Sequence, residues 1–164
     1  MHKILLVSDT HGMDNNLYRA IEAEKPLSLI IHCGDIEGKE KEIIERTGSI
    51  PTRMIKGNND FFSTLPAEQE FELCGHYVFL THGHRYGVNM DLEILKEEAF
   101  ARKTDIIMFG HTHKPVAKEE DGFYIFNPGS LSYPRQSNRL PSYVVLNMDY
   151  DGTINYEIKF LEKN

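Results

Sequence analysis

Five short clusters of polar residues carry the side chains in this sequence that could do chemistry. They read Ser8-Asp9-Thr10-His11-Gly12, Gly34-Asp35, Gly57-Asn58-Asn59-Asp60, Thr81-His82-Gly83-His84 and Gly110-His111-Thr112-His113. The H-x-H pair in the last cluster, taken alone, could be two metal ligands, a catalytic base with a bystander, or two surface residues. Its meaning depends on whether the other clusters supply partners, and Thr112 is interpreted as only a spacer between the two histidines.

The potential metal ligands in these clusters are of mixed type. They comprise two carboxylates, one amide oxygen and four imidazoles, namely Asp9, Asp35, Asn58, His11, His82, His111 and His113. Imidazole and oxygen donors suit divalent ions such as Mn, Fe, Zn, Ni or Co, whereas a structural zinc site usually contains thiolates. Seven donors exceed one tetrahedral set. They are enough for two ions that share a bridging carboxylate and a bridging water, about 3.5–4 Å apart as in two-metal hydrolases.

Each cluster follows directly after a predicted strand. Short apolar runs rich in β-branched residues predict strands at 3–7, 28–33, 52–56, 77–80 and 105–109. Ligands bind at the carboxyl edge of an α/β sheet because the loops that leave the strands converge there. The sequence therefore predicts that all five clusters meet at one place.

Helical and hairpin patterns complete the predicted domain. Residues 14–25, with Asp14 as a candidate N-cap, and residues 39–47 and 91–102 are predicted helices. Hairpins are predicted around Gly75 and around the turn dipeptides Asp121-Gly122 and Asp151-Gly152. Residues 127–142 form the one long loop, and loops of this length in compact domains are often functional. We expect a single domain over residues 1–164.

Composition and charge narrow the class of function. The chain has 164 residues, 40% hydrophobic and 26% charged, which is typical of one globular domain. The formal net charge of −7 argues against an extended surface for binding nucleic acid. No apolar run is long enough for a signal region or a membrane segment, so we expect no membrane partner and a cytoplasmic location. Cys33 and Cys74 are expected to be free, packed thiols.

Taken in order, the clusters resemble the motifs of the calcineurin-like metallophosphoesterases. They match D-x-H at residues 9–11, G-D at 34–35, G-N-x-D at 57–60, H-G-H at 82–84 and G-H-x-H at 110–113, and the similarity continues through N-P-G-S at 127–130. Each motif alone is weak, but five in order, one after each strand, are specific. Within that superfamily the chain looks like the small bacterial and archaeal phosphodiesterases of the YfcE type. The resemblance implies an α/β fold, a four-layer α-β-β-α sandwich of two mixed β-sheets flanked by helices.

The resemblance also implies how the ligands divide between two divalent ions. Asp9, His11 and His113 would hold the first ion, Asn58, His82 and His111 would hold the second, and Asp35 would bridge them. Manganese is the ion expected first, with Ni, Fe, Zn, Co or Mg as alternatives. Two such ions lower the pKa of a shared water, so a metal-bridging hydroxide is the expected nucleophile. The net positive centre would attract the phosphate of a small ester substrate.

The sequence departs from the family's protein phosphatases at Asn59. Those enzymes usually have G-N-H-[DE], in which the histidine and the following acid serve to protonate the leaving oxygen. An amide cannot deliver a proton. Either His84 or a metal-bound water then acts as the acid, or the enzyme prefers esters with good leaving groups, which favours phosphodiesters. Asn59, Asp60 and His84 are therefore candidate catalytic residues, and Asn59, His84 and Arg135 are candidate substrate contacts.

Other classes of function fit the sequence less well. A catalytically inactive protein-binding scaffold, like the phosphoesterase-like subunit of retromer, would be expected to have lost ligands, whereas all seven positions here carry donors. Nucleases of the superfamily have capping segments and basic faces, and metallo-β-lactamase-like enzymes have a contiguous H-x-H-x-D-H. His2, His32 and His76 fall outside the pattern and are expected at the surface or as hydrogen-bonded core residues. A homo-oligomer is left open.

Overall fold

The computed structural model describes residues 1–163, and its helices and strands alternate as the sequence predicts. Their bounds are β1 His2–Val7, α1 Asn15–Glu24, β2 Leu29–His32, α2 Glu40–Thr47, β3 Thr52–Met54, β4 Glu68–Leu73, β5 His76–Thr81, a 3₁₀ turn His84–Tyr86, α3 Glu93–Ala101, β6 Ile106–Met108, β7 Pro115–Glu120, β8 Phe123–Pro128, β9 Ser142–Met148 and β10 Ile154–Phe160. Each predicted strand and helix is present, with ends shifted by one or two residues. The long loop is 129–141, because β8 extends to Pro128.

The strands form two mixed five-stranded sheets. The first sheet has the order β10-β9-β1-β2-β3, and the second has the order β4-β5-β6-β8-β7. Strands β1, β2 and β3 are parallel, as are β5, β6 and β8. The predicted hairpins supply the antiparallel pairs β4–β5, β7–β8 and β9–β10. The parallel strands of each sheet therefore send their carboxyl ends to one edge.

Apolar side chains on both faces of the sheets define four layers. In β1, Ile4 and Leu6 lie in the core between the two sheets, whereas Leu5 and Val7 pack against α1 and α2. A third cluster joins the outer face of the second sheet to α3 through residues such as Leu95. Each such fully buried aliphatic side chain stabilises the fold by about 1.5–3 kcal/mol. The predicted α-β-β-α sandwich is confirmed.

The structure shows the roles of two polar residues, Asp14 and His32, outside the strands' apolar pattern. Asp14 occupies the N-cap position of α1 and its backbone oxygen accepts from Tyr18 N, but its carboxylate makes no capping hydrogen bond. Asp14 is therefore the N-cap residue, as predicted, without a side-chain cap. His32 is a hydrogen-bonded core residue, as predicted, since Nδ1 accepts from Gly34 N (3.2 Å) and Nε2 contacts Thr10 Oγ1 (3.1 Å).

The two cysteines are free, as the sequence predicts. Cys33 is buried, Cys74 is partly buried, and both are free thiols. Within residues 1–163, none of the helices is long and apolar enough to cross a membrane.

Candidate metal centre

The five polar clusters converge where the carboxyl ends of the parallel strands of both sheets meet. Backbone hydrogen bonds tie them together: Asp9 N donates to Gly34 O (3.0 Å), His11 N donates to Asp35 O (2.9 Å) and Gly110 N donates to His82 O (3.1 Å). The last bond joins β5 to β6, and the first two join β1 to β2. The strand ends are therefore locked to one another before any side chain is considered.

The loops at this edge approach each other so closely that particular positions must be glycine. A Cβ atom at Gly57 would overlap Asp35 Oδ1, and one at Gly110 would overlap Ser8 Oγ. One at Gly34, where φ is +103°, would lie 2.8 Å from His82 Nδ1. Glycine permits this approach of backbone to ligand side chains.

Five of the predicted ligands have left-handed backbone conformations. Their φ values lie between +49° and +70°, at Asp9, His11, Asp35, His111 and His113. Non-glycine residues rarely adopt this conformation, and such strain gathers at functional sites where the surrounding structure enforces it. The site is therefore a rigid arrangement that costs the fold energy.

The first ligand group consists of Asp9, His11 and His113. His113 Nε2 lies 3.1 Å and His11 Nε2 3.6 Å from Asp9 Oδ1, and the two Nε2 atoms are 3.3 Å apart. The other ring nitrogens are engaged outside the group, His113 Nδ1 with Tyr133 O (2.8 Å) and His11 Nδ1 with Glu37 Oε1 (2.9 Å). Such outer bonds fix the ring orientation and present Nε2 to a metal.

The second ligand group consists of Asp9, Asp35 and His82. His82 Nε2 lies 3.4 Å from Asp35 Oδ2 and 3.9 Å from Asp9 Oδ1, while Nδ1 donates to Cys33 O (2.7 Å). In each of the two groups, one ligand atom per residue lies within 4.8 Å of the others. Asp9 belongs to both groups. Asp35 Oδ2 also lies 3.8 Å from His11 Nε2, and so stands between the two sets of imidazoles.

Two buried polar atoms at the centre of the site lack hydrogen-bond partners within residues 1–163. They are Asp9 Oδ1 and His82 Nε2, since the nearby His113 ring is not aligned for a hydrogen bond to that oxygen. Leaving a buried polar atom unpaired is costly, and each such atom in a native structure has a reason. A carboxylate oxygen and an imidazole nitrogen are also suitable ligands for a divalent cation. The residues present therefore fit a bound metal.

Asn58 and His111 lie beside the second group, on its solvent side. His111 Nδ1 is 3.1 Å from Asn58 Oδ1, and the His111 ring centroid is 5.2 Å from that of His82. His111 N donates to Asp9 Oδ2 (3.0 Å), which ties the loop after β6 to the shared carboxylate. Their assignment as ligands of a second ion stays a prediction.

In the metal-free site, carboxylates lie beside imidazoles, and each shifts the pKa of the other. Burial raises the pKa of the Asp9 carboxyl, but contacts with His11 and His113 outweigh burial and hold that pKa well below its usual range. Burial lowers the pKa of His11, but Asp9 and Glu37 outweigh it and raise the pKa to about 9. The pKa of His82 is also raised, because its contact with Asp35 outweighs burial. Protons therefore occupy imidazoles that a cation would need.

The two candidate catalytic residues in the 57–60 loop both serve positioning contacts. Asn59 donates from N (2.9 Å) and Nδ2 (2.8 Å) to the two carboxylate oxygens of Asp35. The Asp60 carboxylate accepts four backbone N–H groups, from Asp35, Ile36, Glu37 and Gly57, at 2.6–2.9 Å. Asp60 is 6% exposed. Its oxygens are therefore engaged in holding two loops together.

His84 and Arg135 border the ligand groups. The His84 ring lies 5.5 Å from that of His82 and 6.1 Å from that of His111, and its Nδ1 is buried without a partner within the described chain. Burial, together with the charges of His82 and Arg85, lowers the pKa of His84. Arg135 is exposed and lines a cavity beside His11 and His113. Their assignment as substrate contacts stays a prediction.

Several residues that build the site were not predicted. Glu37 contacts His11, Ser130 Oγ donates to Asp9 O (2.7 Å) and Asn127 Nδ2 donates to Gly110 O (3.0 Å) and Thr112 Oγ1 (3.0 Å). The interpretation of Thr112 as only a spacer is wrong, because its hydroxyl joins the ligand loop to β8. The N-P-G-S motif was a signal for Asn127 and Ser130. Glu37 had none beyond its position two residues after Asp35.

Comparison with known proteins agrees with this site. Residues 2–151 match the family model of the calcineurin-like phosphoesterase superfamily domain. The chain is 32% identical over 150 residues to the probable metallophosphoesterase YsnB of Bacillus subtilis, covering 91% of this chain and 86% of that protein. It is 31% identical over 173 residues to phosphodiesterase YfcE of Escherichia coli, covering 91% and 89%. The crystal structure of a predicted phosphoesterase from Streptococcus pneumoniae superposes with a TM-score of 0.79 at 25% identity, over 98% of both chains.

The chain therefore belongs to the calcineurin-like phosphoesterase superfamily, which confirms the resemblance drawn from its motifs. Family membership together with the two ligand groups makes it a metal-dependent phosphoesterase.

Proposed function

We propose that this protein is a phosphodiesterase whose active site holds two divalent metal ions. The observation that carries the proposal is the sharing of Asp9 between two ligand groups, with unpaired ligand atoms on Asp9 and His82 at their centre. A single ion would leave one group without a cation. Asp9, His11 and His113 would hold the first ion, and Asn58, His82 and His111 would hold the second.

Asp35 would bridge the ions, and this role is supported by its Oδ2, which lies within 4 Å of His11 in the first group and His82 in the second. Asn59 and the backbone bonds from Asp60 keep the Asp35 carboxylate and its loop in place. When bound, two divalent ions supply a water of lowered pKa as nucleophile and positive charge for the phosphate oxygens. The rigid loops contribute by holding the phosphate in line for attack.

The preference for diesters rests on the absence of a free proton donor at position 59. The Asn59 amide is committed to Asp35 and, being an amide, has no proton to give. His84, with an unpaired Nδ1, is the imidazole that remains to contact the substrate or its leaving oxygen. Esters whose leaving groups depart without strong protonation are then the better substrates.

The test is turnover of phosphomonoesters, phosphodiesters and cyclic nucleotides by metal-stripped protein reloaded with Mn, Ni, Zn or Mg, with bound metal counted by elemental analysis. We expect two ions per chain, diester hydrolysis that exceeds monoester hydrolysis, and highest activity with Mn. The variant Asp35→Asn should weaken both ions, whereas Asp151→Asn, in the remote β9–β10 turn, is the charge-matched control. Absence of both turnover and bound metal under all conditions would refute the proposal.

A second variant tests the diester preference itself. Asn59→His introduces an imidazole where the family's protein phosphatases carry one, and it should raise the ratio of monoester to diester turnover. An unchanged ratio would mean that position 59 does not set the preference.

A further inference from the structure

A cavity of about 410 Å³ opens directly beside the first ligand group. Its walls are His11, His113, Tyr133, Pro134, Arg135 and Arg139. Two of these residues are candidate metal ligands, so any molecule whose phosphate lies at the metal centre has this cavity within reach. The remaining four come from the 129–141 loop.

The loop wall is an ordered part of the site. Ser132 Oγ donates to Thr10 O (2.7 Å), Arg135 N donates to His113 O (2.9 Å), and Gln136 Nε2 donates to Leu140 O (2.7 Å). The Tyr133 ring meets the His11 ring edge-on, with centroids 5.3 Å apart. The wall is therefore fixed to the same loops that present the ligands, which reduces the entropy lost when a substrate binds.

The cavity carries two positive charges that no acidic residue neutralises. In the described part of the chain, neither Arg135 nor Arg139 forms an ion pair, and Arg139 has only one long hydrogen bond, from its Nη1 to Pro134 O (3.5 Å). Lys96 and Arg102, by contrast, each contact three carboxylates. Unpaired guanidinium groups beside a phosphate site suit anion recognition, since they offer several donors in a planar fork.

A second cavity near the metal centre has a different character. This cavity of about 630 Å³ is lined by Phe61 and Phe62 together with Glu37, Glu40 and Lys41. Phe61 and Phe62 are 81% and 101% exposed. The three carboxylates in its lining, those of Glu37, Glu40 and Asp60, against the one ammonium of Lys41 disfavour an anion there, so an anionic group of the substrate is directed toward the arginines.

We propose that Arg135 and Arg139 bind a second phosphate of the substrate, so that the preferred substrates are phosphodiesters with a further phosphate group beyond the scissile one. This inference rests on the proposed phosphodiesterase function. The two arginines act on affinity, because they contact a group that does not change during the reaction.

The experiment compares two p-nitrophenyl phosphodiesters with the same three-carbon alcohol, one ending in a phosphate and the other in a hydroxyl. The release of p-nitrophenol is measured for the wild type, Arg135→Gln, Arg139→Gln and the double variant, all loaded with Mn. Lys103→Gln is the matched control, since it removes one positive charge near the amino end of β6, at the opposite edge of the sheet.

We expect the wild type to have a lower KM for the phosphate-bearing diester at similar kcat. Each arginine variant should raise that KM about threefold to tenfold, as for charge-assisted bonds at an exposed site, and should raise the KM for the hydroxyl diester less. The control should behave as the wild type, and added salt should reduce the preference. Equal KM values for both diesters in the wild type, or an equal effect of Lys103→Gln, would overturn the inference alone. Failure of the metal-loaded wild type to hydrolyse either diester would instead overturn the proposed function.

Discussion

Asn59 and Asp35 form a two-point contact in which the backbone N and side-chain Nδ2 of Asn59 donate to Asp35 Oδ1 and Oδ2, at 2.9 and 2.8 Å. Both carboxylate oxygens are thereby oriented by one residue, 24 positions away in the chain. The contact also occupies one of the two N–H groups of the Asn59 side-chain amide. Its effect on chemistry is therefore expected to pass through the metal ligand.

Loss of the Asn59 amide should weaken metal binding. Asn59→Ala keeps the backbone bond and removes the one from Nδ2, so Asp35 becomes freer to rotate. Removal of such an outer partner typically lowers metal affinity about 10–100-fold. Competition with a fluorescent chelator measures the change, and Asn155→Ala on the exposed edge strand β10 is the control. Unchanged affinity for both ions would mean that Asp35 is held by other contacts.

The contacts of the Asp60 carboxylate lead to a prediction about the free energy of unfolding. The carboxylate accepts hydrogen bonds from four backbone N–H groups. Asp60→Ala leaves these four donors without their acceptor, so it should lower the free energy of unfolding by at least about 2 kcal/mol. Asp60→Asn retains one acceptor oxygen and should lose less. Urea unfolding of metal-free protein in excess chelator isolates this effect from lost metal binding. Equal losses for the two variants would argue against the four-bond anchor.

Asn59 and Asp60 show which features of the site could be predicted from the sequence and which could not. The strands could be predicted from short apolar runs in the sequence. The glycines and the seven potential ligands could be predicted from residue type and from their positions directly after those runs. The partners of Asn59 and Asp60 were not, since their side chains could equally face a phosphate, and only the long-range fold decides. Arg139 was missed for the same reason: nothing in the sequence around it places its guanidinium beside His113, whose hydrogen bonds to the 129–141 loop span about twenty residues.

The pKa of His11 predicts that metal affinity depends on pH over an unusually wide range. Metal binding needs a neutral imidazole, and in the metal-free protein Asp9 and Glu37 raise the pKa of His11 to about 9. Apparent affinity should therefore keep rising with pH to about 9, whereas an ordinary histidine, with a pKa of about 6.5, would give a plateau from about pH 7.5. Competition titrations at several pH values measure the curve.

Glu37→Gln offers a way to check the cause of that shift. The variant removes one of the three carboxylates that raise the pKa of His11, so the rise of metal affinity with pH should end at a lower pH. A curve identical to that of the wild type would mean that another group controls the proton competition.

His76, at the end of β5 remote from the metal centre, predicts a pH dependence of stability. Its Nδ1 lies 2.6 Å from Asp105 Oδ2 and its Nε2 lies 2.7 Å from Gly152 O. Both partners only accept, so these contacts favour the imidazolium, which donates from both ring nitrogens. Burial lowers the pKa of His76, but the bonds to Gly152 and Asp105 outweigh burial and raise it. Through its contact with Gly152, His76 joins the second sheet to the β9–β10 turn of the first sheet.

Because the folded-state pKa of His76 is raised, the stability it contributes is fully present below the unfolded-state pKa of about 6.5 and is lost as pH rises through the folded-state pKa. His76→Gln should therefore lower the free energy of unfolding more at about pH 5.5 than at about pH 9. Urea unfolding in excess chelator keeps the metal centre out of the comparison, and His2→Gln, at the partly buried start of β1, is the control. A difference between wild type and His76→Gln that stays constant with pH would show that the ring contributes packing alone.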